Sequence, residues 1–393
     1  AKVLHNNNND FGSDKMQVFY KYTSRLAIAA MLLPLPAYSG GYKISDGDKF
    51  LEVGARIQLQ YKVDDPAAGQ KTDDIFFRRL RVRVAGSMHK DWKGQVEWDM
   101  GKATDDNEIS VKESWMLYSG WNNITLRIGN SSFPFSREFM TPYTQQQLVE
   151  RTFVGDLNYG TPDKNVGLHL RGHNSDKILT YRASASIGSV QADDAKLRFN
   201  TPVNDLSDYA DGYMIGGRVD YHPLGFVKFQ QGDFSGKTRF TLGAAAYAWS
   251  NDGDVIISAP VASQEVDSIT ALEISAAFRS HGFSIDAQYN NFDSELVDAS
   301  HTGGLYRSGK TTLNNAAIEG GYMFNNRIEL VAGYQTQDAD NYATSWNRSS
   351  IGANWFIEGN DIKVQLSYRM GENQDGTSGD DKDEIFLQTQ FDF

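Results

Sequence analysis

The sequence predicts an all-β chain, a transmembrane antiparallel β-barrel of about 16 strands with short periplasmic turns and long extracellular loops. Three observations predict it. Apolar and polar residues alternate with a period of two in segment after segment. The connections between these segments sort by length, mostly short at one end and long at the other. The composition is that of a sheet, with 36 Gly, 9 Pro and 12% aromatic residues in 393, and aromatic-rich, Pro-poor mixtures suit strands.

The first element in chain order is a leader. Met16 opens MQVFYKYTSRLAIAAMLLPLPAYSGG, with Lys21 and Arg25 ahead of the short apolar run 26–35 and with Ala37 and Ser39 at cleavage-site spacing. These are the parts of a secretory signal peptide, expected over 16–39. Residues 1–15, with a run of four Asn, read as an upstream extension. The barrel is expected over 40–393.

The first strand reads FLEVGARIQLQYKV. Leu51, Val53, Ala55, Ile57, Leu59, Tyr61 and Val63 share one face, and Glu52, Arg56, Gln58, Gln60 and Lys62 the other. Such alternation is a half-buried strand. The same period predicts strands over 51–63, 76–88, 93–100, 109–118, 123–130, 165–172, 178–188, 213–222, 238–249, 268–279, 282–292, 314–324, 328–336, 347–357, 361–369 and 384–393. The last of these ends IFLQTQFDF, placing Ile385, Leu387, Phe391 and Phe393 on one face. A terminal strand ending in Phe resembles the assembly signal of Gram-negative outer-membrane proteins.

Links after even-numbered strands are short, as at Ser280 and His281 or Asn325 to Arg327; links after odd strands are mostly long, as at 131–164 and 189–212. One even link, 223–237, breaks this rule. The mean hydropathy of −0.49 does not oppose a membrane barrel, because only one face of each strand meets lipid.

Several classes are excluded. Beyond the leader no run of roughly 18 apolar residues exists for a spanning helix. There are no cysteines for disulfides, thiolate metal sites or nucleophiles. A net charge of −12 opposes a nucleic-acid surface. His residues are sparse and no G-x-S-x-G elbow occurs. No metal site or cofactor is expected, and the chain is too short for a plugged barrel of about 22 strands.

A barrel of this size leaves an aqueous channel, so passive diffusion of small hydrophilic solutes is the expected function. The longest link, 131–164, is expected to fold inward as a constriction loop carrying Arg137, Glu138 and Arg151. Parity places Arg56, Lys62, Arg79, Arg81, Arg83, Asp99, Lys112, Arg127, Arg171, Arg182 and Arg218 inside the first eight strands. The second eight carry the inward acids Glu273, Asp286, Glu319 and Glu329. Arg79, Arg81 and Arg83 form a ladder with steps of about 7 Å. Guanidinium forks suit phosphate and carboxylate oxygens, so the ladder favours anions. The opposing reading is that these Arg neutralise Glu97 and Asp99, which leaves an unselective general-diffusion pore. A plugged structural barrel or adhesin is the third alternative.

Two stretches resemble the phosphate-selective porins O and P. FFRRLRVRVAGSMHKDWKGQVEWDM, 76–100, is similar to that family's second strand, turn and third strand. LRIGNSSFPFSREFMTPYTQQQLVERTFVGDLNYGTPDKNVGLHLRG, 126–172, is similar to its fifth strand, third loop and sixth strand. The resemblance implies a sixteen-stranded outer-membrane barrel, usually a homotrimer, with a basic lumen and an infolded third loop. Its partners would be small anions such as phosphate, outer-membrane lipid and lipopolysaccharide. The matching residues are Arg78, Arg79, Arg81, Asp99, Arg127, Arg137, Arg151 and Lys164, with an implied role in anion passage or in bracing the third loop. The chain departs from the phosphate-binding members in its acidic second half.

Overall fold

The structure is a computed structural model that describes residues 41–101, 109–191, 193–200, 210–253 and 264–393. The expected leader and upstream extension lie outside the described residues.

Sixteen strands close into one antiparallel ring. They are β2 (Lys49–Pro66), β3 (Thr72–His89), β4 (Trp92–Asp99), β5 (Ser110–Trp121), β6 (Ile124–Ser132), β7 (Lys164–His173), β8 (Leu179–Val190), β10 (Ala210–Tyr221), β11 (Arg239–Asn251), β12 (Val266–Ser280), β13 (Phe283–Leu296), β14 (Lys310–Phe324), β15 (Ile328–Asp338), β16 (Trp346–Glu358), β17 (Ile362–Glu372) and β18 (Lys382–Asp392). Each corresponds to one of the sixteen alternating segments, with ends shifted by a few residues. Two short strands stand beside the ring: β1 (Tyr42–Asp46) pairs with β2, and β9 (Phe199–Asn200) with β8.

The seam is made by β18 against β2, from Lys382↔Pro66 to Asp392↔Arg56. Phe393 completes it by exchanging two backbone hydrogen bonds with Ala55, 2.8 and 2.9 Å. A closed ring leaves no unpaired edge, which lipid requires. The outward faces are aliphatic and exposed, as at Leu272, Ile274, Leu330 and Ile351. Rings gather at the short-turn end: Trp92, Tyr118 and Trp121 form one contact set, and Phe283, Tyr322 and Phe324 another. Such girdles mark the membrane–water boundary. The turns there are tight: His281 and Gly282 both have positive φ (51° and 91°), as a two-residue primed hairpin turn needs.

Two β-bulges modify the expected parity. In β3, Gln58 faces Arg79 and Leu59 faces Phe77, so Arg78 is the extra residue. In β5, Glu97 faces Glu113 and Trp98 faces Val111, so Lys112 is the extra residue. A bulge puts neighbouring side chains on one face. Arg78 and Arg79 therefore both enter the lumen, as does Lys112.

The connection 133–163 lies inside the ring. Ser136 caps a single helical turn, α1 (Arg137–Met140), by accepting from the Phe139 amide at 3.1 Å. Phe133, Phe135, Phe153 and Tyr159 then pack on Tyr247 and Trp249 of β11, Phe292 of β13 and Trp346 of β16, forming an apolar core within the lumen. Several ring pairs meet edge to face, such as Phe135 with Tyr247 at 4.9 Å.

Candidate pore and constriction

A cavity of about 1020 Å³ runs along the inner wall of β16–β18 and β2–β5, bounded on its other side by the infolded loop. Its lining holds ten basic and seven acidic residues. Lys62, Arg79, Arg81, Asp99 and Arg151 of the expected site residues line it, as do Lys112 and Lys164.

The ladder members are inward but unequal. Arg81 is neutralised: Nε donates to Asp99 at 2.8 Å and Nη1 to Glu97 at 3.1 Å. Arg83 has Glu52 at 3.6 Å. Arg79 has no carboxylate partner among the described residues; its Nη1 donates to the Gln58 side chain at 2.9 Å. The guanidinium lies 3.4 Å from the ring centre of Tyr143, and Arg151 lies 3.6 Å from the same centre. Two groups that close fit only on opposite faces, so the ring is held between two cations. Each such contact is worth about 0.5–2 kcal/mol. Arg151 donates to the carbonyls of Phe139 and Thr141, while its Nε and Nη1 have no hydrogen-bond partner among the described residues.

The loop is pinned to the ladder by one ion pair. Arg78 donates to both oxygens of Glu150, at 2.8 and 3.2 Å. Burial pushes the Glu150 carboxyl up, but Arg78 outweighs it, and the group is held at about 2. The Tyr143 phenol is drawn below its usual range because Arg151, Arg79 and Arg78 together outweigh burial. On the far side of the loop, burial raises the Glu138 carboxyl to about 7, against hydrogen bonds from Thr152.

Other expected contacts fall elsewhere. Arg218 does not face the pore: it is fully buried beneath the loop, donating to Asp220, Glu273, Ser275 and the Phe135 carbonyl. Arg137 and Glu138 are also buried, Arg137 against Asp286 at 3.3 Å and Glu138 against Thr152. Arg218 is thus corrected from a pore contact to a packing contact, while Arg137 and Glu138 lie on the infolded loop and brace it against that wall. Arg56 sits near Asp392 at 3.5 Å, outside the large cavity. Arg127 stacks on Trp115 at 4.2 Å. Arg171 and Arg182 face each other across β7 and β8 and line a second cavity of about 350 Å³ at the short-turn end.

Several lining residues were not reached by strand parity. Tyr143 and Glu150 belong to an aperiodic loop. Arg78 enters through a bulge. Arg348 was legible, since it shares parity with Ser350 and Asn354 on β16; it stacks on Phe153 and Trp346 at 4.3 and 4.1 Å.

Of the inward acids of the second half, Glu273, Glu319 and Glu329 are buried and Asp286 is half-buried. Glu273 and Glu329 are at most 1% exposed. The Arg137 amide donates to Glu273, and Gln147 of the loop donates to Glu329 at 2.7 Å. Lys363 is sealed in the same way, donating to the Gln146 carbonyl at 2.8 Å.

A closed sixteen-stranded barrel with an apolar outer band and a loop lying in a charged lumen is a porin-type barrel of the bacterial outer membrane. The chain belongs to the phosphate-selective porin O and P family, whose sequence model matches residues 51–393. Porin O of Pseudomonas aeruginosa is 23% identical over 273 residues, 64% of this chain; the match spans 60% of that protein's length. The anion-selective porin from Comamonas acidovorans is similar in fold, with a TM-score of 0.57 and 11% identity over 88% of this chain and 100% of that one. The trimer form of OmpT from Vibrio cholerae has a TM-score of 0.55 and 11% identity, over 88% and 99%. At these identities the two structures speak to the fold alone.

Proposed function

We propose that this chain is a passive outer-membrane porin that favours small hydrophilic anions of the phosphate class. One observation carries the preference: among the described residues Arg79 and Arg151 meet the cavity without carboxylate partners, while Glu273, Glu319 and Glu329 of the opposite wall are buried. An anion passing the Tyr143 ring would meet guanidinium groups on both of its faces, held apart so that neither forms a deep trap. Family membership and the printed names of Porin O and the Comamonas porin support this reading. We take the working assembly to be a homotrimer seated in lipid and lipopolysaccharide, supported by the trimer form of the Vibrio protein. Passage needs no chemistry, and we assign the chain no reaction.

A second reading is a general-diffusion pore, favoured by the seven acidic residues in the cavity lining and by the neutralised Arg78 and Arg81. Planar-bilayer recording under a KCl gradient separates the two. The anion reading predicts open-channel current with a zero-current potential of anion-selective sign. A potential near zero selects the general pore. A cation-selective sign removes the anion preference and leaves the barrel intact; no open-channel current removes the porin reading.

A further inference from the structure

We propose that the connection 222–238, between β10 and β11, is a selectivity element: folded into the lumen from the short-turn end, it seals wall carboxylates away from the pore. This rests on the anion-porin reading and adds a specificity-determining segment to it.

This is the link that broke the expected rule of short turns, and the structure shows where its length goes. The segment rises into the ring and meets the infolded loop from the opposite side. Gln231 makes the join. Its amide donates to the Gln145 carbonyl at 3.0 Å, and its side-chain oxygen accepts from the Gln147 amide at 2.7 Å. The same side chain donates to Glu319 on β14 at 2.6 Å. One residue thus ties the constriction loop to an acidic wall position. The adjoining backbone covers two more acids. The Gln230 carbonyl accepts from Arg279 at 2.6 Å, and Arg279 also lies 2.6 Å from Asp286. Gly232 has a φ of +76°, and a Cβ there would stand 3.0 Å from a Glu329 oxygen, so the chain passes directly over that carboxylate.

The segment is anchored at both flanks. Phe229 lies over the guanidinium groups of Arg182 and Arg137, at 4.6 and 5.2 Å. The buried Asp233 carboxylate accepts from Ser235 and Gly236 within the segment, and from the Gly282 amide in the β12–β13 turn at 2.9 Å. A buried carboxylate with four donors holds a fixed place. Without this floor, water and ions would reach Glu319 and Glu329 from below, and two fixed anionic sites would join the conduction path. Rings of carboxylates select cations.

The test replaces 224–235 with a short Gly-Ser turn and measures conductance and zero-current potential in planar bilayers under a KCl gradient. Compared with the intact protein, the shortened barrel should conduct more, and its cation-to-anion permeability ratio should rise about threefold, the order expected for two uncovered charges in a wet pore. Adding Glu319→Gln and Glu329→Gln to the shortened barrel should return the ratio towards the intact value while conductance stays high. A segment that only stabilises the barrel would change its heat resistance and leave the ratio alone. An unchanged ratio overturns the proposal, as does a raised ratio that the two Gln substitutions fail to lower. Should the shortened barrel fail to assemble, Gln231→Ala with Asp233→Ala is read in the same way. The intact protein's own potential tests the anion reading separately.

Discussion

The two halves of the lumen wall carry charge and use it differently. Along β11 the inward residues are buried and the outward ones exposed in strict alternation, the signature of a face covered by packed protein. β5 has no buried residue on either face, so its inner side meets open space. The packed half holds Glu273, Glu319 and Glu329 buried and Asp286 half-buried; the half that borders the large cavity holds Arg79, Arg81 and Lys112. A charge on a barrel wall therefore bears on transport only where it borders the open cavity. On the packed half, Glu273 and Glu329 brace the loop by accepting from the Arg137 amide and from Gln147.

The largest expected effect that would sharpen this contrast is on stability. Glu273→Ala removes the carboxylate that Arg218 holds at 2.6 Å in a site without solvent. Breaking a buried pair costs about 3–5 kcal/mol, here nearer the lower figure because Asp220 remains. Denaturant unfolding of the refolded barrel should show the loss, with the zero-current potential of surviving channels unchanged. A shifted potential would place Glu273 in the pore.

Next comes selectivity. Arg79→Ala with Arg151→Ala should lower the anion-to-cation permeability ratio about fivefold, roughly 1 kcal/mol for an ion beside a guanidinium in water-filled space. Arg83→Ala should do much less, because Glu52 already lies beside it. Equal effects from all three would restore the uniform ladder read from the sequence.

The smallest effect concerns acid. The Glu150 carboxyl is held at about 2, below its ordinary range, so its pairing with Arg78 contributes fully above that range. The contribution is lost as pH falls through the usual carboxylate range towards about 2. Single-channel conductance of the intact protein should be steady from pH 7 to about 4 and change only as pH falls on towards about 2. Glu150→Gln should abolish that dependence; an acid transition that survives it belongs to another group.

Much of this was legible in the sequence. Period-two alternation located all sixteen ring strands, because each has one lipid face and one lumen face. Sorted link lengths gave the polarity of the barrel, and the exception at 223–237 marked the segment that turns inward. What parity could not supply was anything non-periodic. The bulge at Arg78 has no local signature, yet it brings a further cation into the cavity, whereas Lys112, also at a bulge, lies inside as parity placed it. Tyr143 and Glu150 meet the ladder only through the tertiary path of their loop. Arg218 was assigned the correct face and the wrong surroundings, since its cover comes from Phe135, far away in sequence.

The most direct test of the central claim uses the absence of cysteine in the chain. A single Cys is placed on each wall: Ser110→Cys, which lines the large cavity from β5, and Ser284→Cys, which is 1% exposed under Gln147 on β13. A charged, water-soluble thiol reagent is then added during planar-bilayer recording. If the pore follows the basic wall, the reagent cuts the current through the Ser110→Cys channel and leaves the Ser284→Cys channel untouched. Rapid block of the Ser284→Cys channel, with the Ser110→Cys channel unaffected, would contradict the account.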